Sequence, residues 1–410
     1  MVKFIILIIV IMISGGFTGC KKEPIEPILT PKVIELSAQA SKVIESSNKF
    51  GIELFRRTAV LESGNLMLSP LSAGAALTMA LNGADGQTFE QIRQMLGYPA
   101  NMSIAEINQA YRSLVGQLLA ADPKVKLTLA NAMFFRLGLI VKQPFTSALA
   151  TDFGAHIEGL NFDLPLAINT INNWASDNTN GRIPMVIDQI SAQTVMFLMN
   201  ALYFKGDWTY QFNKSETRNQ PFYLDGGGQI SVPTMSGKIQ AKTFSGTNFR
   251  AIELPYGRKN FSMVVIVPNG TLGQFYQTFT TETWNQITAT LDNEMAQPVG
   301  TIVSLPKFEF KYEKLLNSQL QSLGMTDAFV PYVANFSKMT DWEVFVSFVK
   351  QNTFIKVDET GTEAAAVTTI GIGVVSMPPS FDANKPFVFA IRERTTNTLL
   401  FIGSVANPLQ

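Results

Sequence analysis

Histidine and cysteine, the side chains that enzymes use most often for proton transfer and nucleophilic attack, each occur once in this chain of 410 residues. A Ser–His–Asp triad would have to use His156, and no Gly-x-Ser-x-Gly segment accompanies it. A zinc site needs several histidine or cysteine ligands, and the sequence has no phosphate-binding Gly-x4-Gly-Lys-Ser/Thr loop. We therefore predict that the protein is not an enzyme, that it needs no metal or other cofactor, and that His156 is a surface or loop residue.

The single cysteine, Cys20, stands at the end of a targeting segment. Lys3 precedes an unbroken apolar run from Phe4 to Ile13, which is about half of what a membrane-spanning helix needs, and small residues follow, as in a secretory signal. The stretch Phe-Thr-Gly-Cys resembles the lipobox of bacterial lipoproteins, although phenylalanine replaces the usual smaller aliphatic residue. Because no second cysteine can form a disulfide, lipidation of Cys20 is favoured over a free thiol.

This interpretation predicts a signal peptide over residues 1–19 and a proline-containing, lipid-anchored spacer over 20–34. The mature protein would cross the inner membrane and remain anchored by lipid alone, in the periplasm or on the cell surface. Basic and acidic residues number 32 each, which gives no support for nucleic acid as a partner. The sequence has no run of clustered basic residues, so heparin is not expected as a cofactor, and we expect a monomer.

Apolar periodicity gives the folded part a helical first third and a strand-rich remainder. The chain should fold from near Val33, with a helix within 33–61, and NLMLSPLSAGAALTMALNG is typical of a short strand followed by a helix that Ser72 caps. LTLANAMFFR and VMFLMNALYFKGDW are typical of strands covered on both faces. Two more strands should meet at a turn over Tyr256–Asn260, and two others should form the C-terminal tail. The pattern predicts an α+β protein with large sheets, and length alone would allow two or three domains.

The segment ETGTEAAAVTTIGIGVVSMPPSFDANKPF, from Glu359 to Phe387, has no charged residue between Glu363 and Asp382. As a strand over 362–373, it places Thr, Ala, Ala, Thr, Ile and Ile on one face and Glu, Ala, Val, Thr, Gly and Gly on the other. The first face starts small and becomes bulky and apolar, which is typical of a strand with one face in a core. Uncharged tracts of this kind pair readily with other strands, and composition alone allows one more static strand.

Several segments match blocks of a known protein family in the same order: NLMLSPLS, NWASDNTNGRIP, LMNALYFKGDW, LPKFEF, DETGTEAAAV and FDANKPFVFAI. On these segments, residues 35–410 resemble the serpins, the serine protease inhibitors of which antitrypsin is a member. The resemblance implies a single domain over 35–410, an α+β fold with three β-sheets and eight or nine helices, and an exposed reactive-centre loop at about 361–380. It replaces the several domains that length alone would allow.

The resemblance also implies a role for the uncharged tract. In serpins this loop is bait for a protease, and after cleavage it inserts as a new central strand of the main sheet while the acylated protease stays attached. We therefore expect covalent suicide inhibition of serine endopeptidases. The family's loop spacing places the cut bond between Val375 and Ser376, with Val374 and Ile372 as nearby alternatives to Val375, and valine suits an elastase-type pocket. The hinge that must insert quickly would comprise Gly361, Thr362, Glu363, Ala364, Ala365 and Ala366.

Further family positions lie outside the loop. Ser69 and Asn200 match the shutter, the region where the main sheet opens, and Gln351 replaces the usual shutter histidine; glutamine can still donate and accept hydrogen bonds. The breach positions, where insertion starts, are Trp208 and the charge pair Glu359 and Lys307.

Two alternative functions remain open from the sequence. A non-inhibitory serpin would act as a binding or chaperone module, and some serpins trap cysteine proteases instead of serine proteases. Non-inhibitory members tend to carry bulky or charged hinge residues, which slow insertion. The small residues at Ala364–Ala366 favour the inhibitor.

Overall fold

The structure, a computed structural model, describes residues 31–362 and 378–410, apart from 294 and 296. In this part of the chain no helix is both long and apolar enough to cross a bilayer. Nine α-helices lie within these residues: α1 (Ala38–Ala59), α2 (Pro70–Gly83), α3 (Gly86–Met95), α4 (Ile104–Leu119), α5 (Gln143–Phe153), α6 (Pro165–Asn178), α7 (Leu272–Thr278), α8 (Thr281–Asp292) and α9 (Asn317–Ser322).

The same residues form fifteen strands. They are β1 (Leu66–Leu68), β2 (Val125–Arg136), β3 (His156–Leu160), β4 (Met196–Asp207), β5 (Arg218–Tyr223), β6 (Gln229–Ser245), β7 (Phe249–Pro255), β8 (Phe261–Pro268), β9 (Val299–Pro306), β10 (Phe308–Leu315), β11 (Lys350–Val357), β12 (Gly361–Thr362), β13 (Ser380–Asp382), β14 (Phe387–Glu393) and β15 (Thr398–Val405).

The strands form a six-stranded sheet in the order β10-β11-β12-β4-β2-β3 and a nine-stranded sheet in the order β1-β15-β14-β8-β7-β6-β9-β13, with β5 paired to β6. The long strand β6 pairs with β5 and β9 over most of its length and with β7 only over Lys242–Ser245. The nine-stranded sheet therefore consists of two sheets that share β6. Together with the six-stranded sheet, these give the three sheets that the sequence predicts, and the α+β class and helix number are confirmed.

The start of α2 differs from the prediction. The helix begins at Pro70, and the side chain of Ser69 accepts a hydrogen bond from the backbone N–H of Ser72 at 3.2 Å. Proline suits the first helical position because it has no N–H to satisfy there, so the capping residue must precede it. The prediction that Ser72 caps this helix was wrong, and Ser69 is the cap.

Two layers enclose the main core. Helices α1 and α2 pack on β15 of the nine-stranded sheet, and α2 also contacts β4 of the six-stranded sheet. Helix α6 covers part of the other face of β2 and β4, around Phe134 and Phe197. Strands β14 and β15 are buried along their whole length, which explains their almost continuous apolar sequence.

Candidate functional site

The six-stranded sheet is interrupted at its centre by the two-residue strand β12. Thr362 pairs with Val357 of β11 on one side and with Gly206 of β4 on the other, and Gly361 lies opposite Asp207. Within the described residues, β4 and β11 pair with β12 and not with each other. The first two hinge residues therefore already lie between the two central strands, at one end of the sheet.

Glycine is required at the first hinge position by close packing. Gly361 has a φ of +155°, and a Cβ atom there would collide with the carbonyl oxygen of Gly206 and the Cα atom of Asp207. Any side chain would push β12 away from β4. This contact explains in steric terms why the loop begins with glycine.

Thr362 lies on the core side of the sheet and makes a buried hydrogen bond. Its hydroxyl is 2.7 Å from the hydroxyl of Tyr256, whose ring stacks on Trp208 with centroids 4.4 Å apart. The indole N–H of Trp208 donates to the carbonyl oxygen of Asp358 at 3.0 Å. Burial raises the pKa of Tyr256 far above its usual value, so its hydroxyl keeps its proton. The sequence predicted Trp208 at this place but missed Tyr256, which follows β7 in a turn.

The predicted charge pair lies beside the hinge. The ammonium group of Lys307 is 3.0 Å from both carboxylate oxygens of Glu359, and the hydroxyl of Thr217 donates to Glu359 at 2.7 Å. The Glu359 side chain is 5% exposed and that of Lys307 is 36% exposed. Burial raises the pKa of Glu359, but the hydrogen bonds from Thr217 and Lys307, a backbone hydrogen bond and the lysine charge outweigh burial, so the pKa lies below its usual value.

Ser69 and Gln351 of the predicted shutter form a closed pair. The Gln351 side chain accepts from the backbone N–H of Ser69 and donates to its carbonyl oxygen, both at 2.9 Å. The Ser69 hydroxyl donates to the carbonyl oxygen of Leu400 at 2.8 Å. Both ends of the glutamine amide are therefore used, and the side chain ties β11 to the start of α2 without a titratable group.

Asn200, the third predicted shutter residue, belongs to a different hydrogen-bond network from Ser69 and Gln351. Its amide N–H donates to the side-chain oxygen of Asn131 at 2.7 Å, and Asn131 donates to the carbonyl oxygen of Phe153 at 2.7 Å. Asn200 and Gln351 both line a cavity of about 190 Å³ between β4 and β11. The structure thus places two of the three predicted shutter residues, Asn200 and Gln351, on one cavity, while the described hydrogen bonds do not join Asn200 to Ser69 or Gln351.

Several predicted site residues lie outside the described part of the chain. They are Glu363, Ala364, Ala365 and Ala366 of the hinge, Val375 and Ser376 of the reactive bond, and Cys20. His156 is at the surface, where its Nε2 atom lies 2.8 Å from a carboxylate oxygen of Glu158. Over the residues that could be searched, no group of three histidine, cysteine or acidic side chains could hold a metal.

A family model described as "Serpin (serine protease inhibitor)" matches residues 45–408. The chain belongs to the serpin family. It is 32% identical to the leukocyte elastase inhibitor of Xenopus tropicalis, in an alignment that covers 88% of this chain and 97% of that protein. The fold and the family that the sequence predicts are thereby confirmed.

Solved serpin structures match almost the whole fold. The native state of tengpin, a thermophilic serpin, is 32% identical, with a TM-score of 0.81 that covers 92% of this chain and 96% of that one. Human thyroxine-binding globulin is 25% identical, with a TM-score of 0.82 that covers 90% of this chain and 100% of that one. The serpin fold is thus shared by a protein named for elastase inhibition and a protein named for binding thyroxine.

Proposed function

We propose that this serpin inhibits serine endopeptidases as a suicide substrate, by inserting its cleaved loop between β4 and β11. The observation that carries the proposal is the position of β12. Thr362 pairs on both sides, with Gly206 and Val357. It therefore occupies the first paired position of a strand that the following residues can continue. A strand that starts there can be extended between β4 and β11, which pair with β12 and, within the described residues, not with each other.

Insertion would release a large free energy. It would bury Ile370 and Ile372, at about 1.5–3 kcal/mol each, and it would form backbone hydrogen bonds over about a dozen residues, at about 1 kcal/mol each. The sum is on the order of tens of kcal/mol by these two contributions. The uncleaved protein is then kinetically trapped, and cleavage of the loop releases the trap.

The bond that we assign as the reactive bond is Val375–Ser376. Valine is apolar, of medium size and β-branched, so it fits an elastase-type pocket and offers no charge to a trypsin-type carboxylate. The similarity to a leukocyte elastase inhibitor supports the same class of target. No catalytic residue is assigned to the serpin itself, because the chemistry belongs to the protease.

The purified full chain should form a covalent complex with an elastase-type serine protease. We expect a high-mass band on a denaturing gel, together with a released C-terminal fragment that begins at Ser376, as measured by mass spectrometry. Complete cleavage without a covalent band would contradict inhibition of that protease. A fragment that begins elsewhere would leave the mechanism standing and move the reactive bond.

The Val375→Arg variant tests the target class separately from the mechanism. Arginine fits a trypsin-type pocket, so we expect inhibition to pass from elastase-like to trypsin-like proteases. Val374→Arg is the matched control, because it adds the same side chain one position earlier. Unchanged elastase inhibition by Val375→Arg would show that Val375 does not occupy the primary pocket.

A non-inhibitory binding or chaperone role is the second candidate. Its support is the structural similarity to thyroxine-binding globulin, and cysteine proteases are a further target class within the inhibitory reading. A loop-cleaved protein that is no more stable than the uncleaved one would favour the binding role. A cleaved protein that is much more stable, but that forms no complex with elastase, would direct the search to other proteases.

We further propose that the protein is a lipid-anchored monomer. The support is the position of Cys20 directly after the apolar targeting segment. Intact-mass measurement of the protein from its native membrane should show a chain that starts at an acylated Cys20. An unmodified cysteine, or a chain that starts elsewhere, would refute the anchor.

A further inference from the structure

The segment that precedes α1, residues 31–36, is fastened to the folded domain by side chains of other segments. The side chain of Asn260 accepts a hydrogen bond from the backbone N–H of Lys32 at 2.8 Å and donates to its carbonyl oxygen at 2.7 Å. Gln117 makes the same two-way contact with the backbone of Glu35, at 3.1 and 2.9 Å. The chain therefore enters the domain at a fixed place, between the turn that precedes β8 and the end of α4.

Positively charged residues from three parts of the chain meet at this entry point. Lys124 follows α4, while Arg258 and Lys259 lie in the turn that precedes β8. The carboxylate of Asp122 accepts hydrogen bonds from the backbone N–H groups of Lys124 and Arg258, and Lys32 contacts the residue after Lys259. The sequence has no run of clustered basic residues, because the fold and not the chain order brings these four together.

The acidic side chains at the entry point are largely used inside the protein. Asp122 is buried and accepts the two backbone hydrogen bonds, and Glu393 is buried and accepts from two threonine hydroxyls. Glu35 is exposed. Asp207 is partly buried, and burial raises its pKa while the charge of Lys124 acts in the opposite direction. The exposed side chains at the entry point therefore carry more positive than negative charge.

Two exposed apolar side chains lie among these cations. Val33 follows Lys32 and is 71% exposed, whereas the next residue, Ile34, is buried in the core. Leu119 is 44% exposed and precedes Ala120, whose carbonyl oxygen lies 3.5 Å from the ammonium group of Lys32. Exposed apolar side chains within a positive surface are typical of proteins that lie on an anionic bilayer, where cations meet phosphates and apolar groups enter the headgroup region.

The proposed lipid anchor brings the entry point close to a membrane. Covalent geometry limits the span from Cys20 to Pro31 to at most about 40 Å, and Lys21 and Lys22 follow the cysteine directly. The described surface around Lys32 is therefore the part with the shortest covalent path to the anchor. A positive surface at this place is complementary to an anionic bilayer, whose electrostatic attraction acts only over about a Debye length.

We propose that a basic face of the protein lies against an anionic lipid bilayer and orients the anchored chain on it. The basic face comprises Lys32, Val33, Leu119, Lys124, Arg258 and Lys259. Its four cations would contact lipid phosphates, and its two apolar side chains would enter the headgroup region. The orientation rests on the proposed lipid anchor, whereas the contact itself rests on the charge and exposure of these residues. It adds a second membrane contact to the anchoring by lipid alone that the sequence predicts.

The distribution of the full chain between two kinds of vesicle tests this contact. Vesicles of phosphatidylcholine and vesicles that also contain phosphatidylglycerol are mixed with the purified chain and then separated by density. We expect at least about ten times more chain on the phosphatidylglycerol vesicles at low ionic strength, and an even distribution at high ionic strength, where charges are screened. An even distribution at low ionic strength would overturn the proposal.

Removing charges from the basic face should lower the preference for phosphatidylglycerol vesicles. The test variant combines Lys32→Gln, Lys124→Gln and Arg258→Gln, and we expect its preference to fall at least about fivefold. The control variant has the same net charge and carries glutamine at three exposed cations elsewhere on the surface, Lys49, Arg57 and Lys311. Both variants should keep the unfolding midpoint of the wild type. An equal fall in both would show that net charge alone attracts the bilayer, and would overturn the assignment to this face.

Replacing the two apolar side chains separates a bilayer from a soluble polyanion as the partner. Val33→Ser with Leu119→Ser should lower the preference for phosphatidylglycerol vesicles about threefold. Retention on an immobilised sulfated polysaccharide, which offers charge without an apolar phase, should not change. Val60→Ser with Leu61→Ser, at exposed positions after α1, is the matched control and should have no effect. An unchanged vesicle preference in the Val33 and Leu119 variant would overturn the bilayer as the partner.

The phosphatidylcholine vesicles separate this proposal from the proposed anchor. A chain that binds phosphatidylglycerol vesicles but not phosphatidylcholine vesicles would refute the anchor and leave the basic face standing. A chain that binds both equally would support the anchor and overturn the face, and a chain that stays in solution would overturn both. These variants lie outside the hinge and the reactive bond, so each should form the covalent protease complex as the wild type does.

Discussion

The six-stranded and the nine-stranded sheet of this serpin differ in how completely their strands are paired. The nine-stranded sheet is continuous from β1 to β13, and near the end of β14 it holds a fully buried arginine, Arg392, with bonds of 2.7 Å to Glu253 and 2.6 Å to Asp292. The six-stranded sheet is divided at its centre by the two residues of β12. The nine-stranded sheet is therefore paired throughout, while the six-stranded sheet has at its centre the position where the proposed function would add a strand.

The largest effect should come from a charge on the core face of the inserting segment. Ala364→Arg would bury an unpaired guanidinium during insertion, at a cost of roughly 5 kcal/mol. We expect the covalent band with protease to disappear and cleaved serpin to replace it. Glu363→Arg is the control, because alternation along an inserted strand would put position 363 on the face opposite Thr362 and because this position already carries a charge. Persistence of the covalent band in Ala364→Arg would mean that the two sheets do not differ in the way described.

A change in the nine-stranded sheet should act on stability and leave the mechanism intact. Arg392→Ala would leave the buried Glu253 carboxylate with only Arg394, at 3.2 Å, and the Ser262 hydroxyl, at 2.8 Å, as partners, and breaking a buried pair in this way costs up to about 3–5 kcal/mol. We expect that loss in both the uncut and the loop-cut forms, measured by denaturant unfolding, with an unchanged ratio of covalent complex to cleaved product. Lys338→Ala, which breaks an exposed pair with Asp85, should cost about 0–1 kcal/mol. An altered product ratio in Arg392→Ala would show that this sheet also takes part in insertion.

The smallest effect concerns the charge pair beside the hinge. The pKa of Glu359 lies below its usual value, so the pair stabilises the folded state above that usual value and loses this contribution as the pH falls through the lowered pKa. Because Lys307 is partly exposed, Lys307→Met should cost only about 0–1 kcal/mol at neutral pH and nothing at low pH. Thermal unfolding from pH 3 to 7 would measure it. Lys356→Met, which removes the ammonium group of the exposed pair with Glu309, is the matched control and should cost about 0–1 kcal/mol at neutral pH.

Local signals in the sequence predicted much of the fold. The strands β7 and β8 and the turn over Tyr256–Asn260 follow from short apolar runs and turn-forming residues that are neighbours in the chain. The cap of α2 was misassigned because two serines flank the helix start, and Pro70 decides between them by taking the first helical position. The choice between Ser69 and Ser72 depends on which residue starts the helix and lacks a backbone N–H, and the periodicity of apolar residues contains no information on that.

The site was less accessible to sequence reasoning because its contacts join distant residues. Gln351 meets Ser69 across 282 positions of the chain, and Tyr256 meets Thr362 across 106. Neither contact produces a periodic pattern in the amino-acid sequence. Residues such as Trp208 and Glu359 came from the family resemblance, whereas Tyr256 and Asn131 emerged only from the three-dimensional arrangement.

The stacking of Trp208 on Tyr256 makes it possible to follow movement of the hinge by tryptophan fluorescence. The indole lies 4.4 Å from the phenol ring, and the phenol hydroxyl touches Thr362, so movement of the hinge changes the surroundings of a fluorophore. The chain has four tryptophans, and replacing the other three by phenylalanine would leave one optical reporter at the first step of insertion. Stopped-flow emission would then time that step in an unlabelled protein.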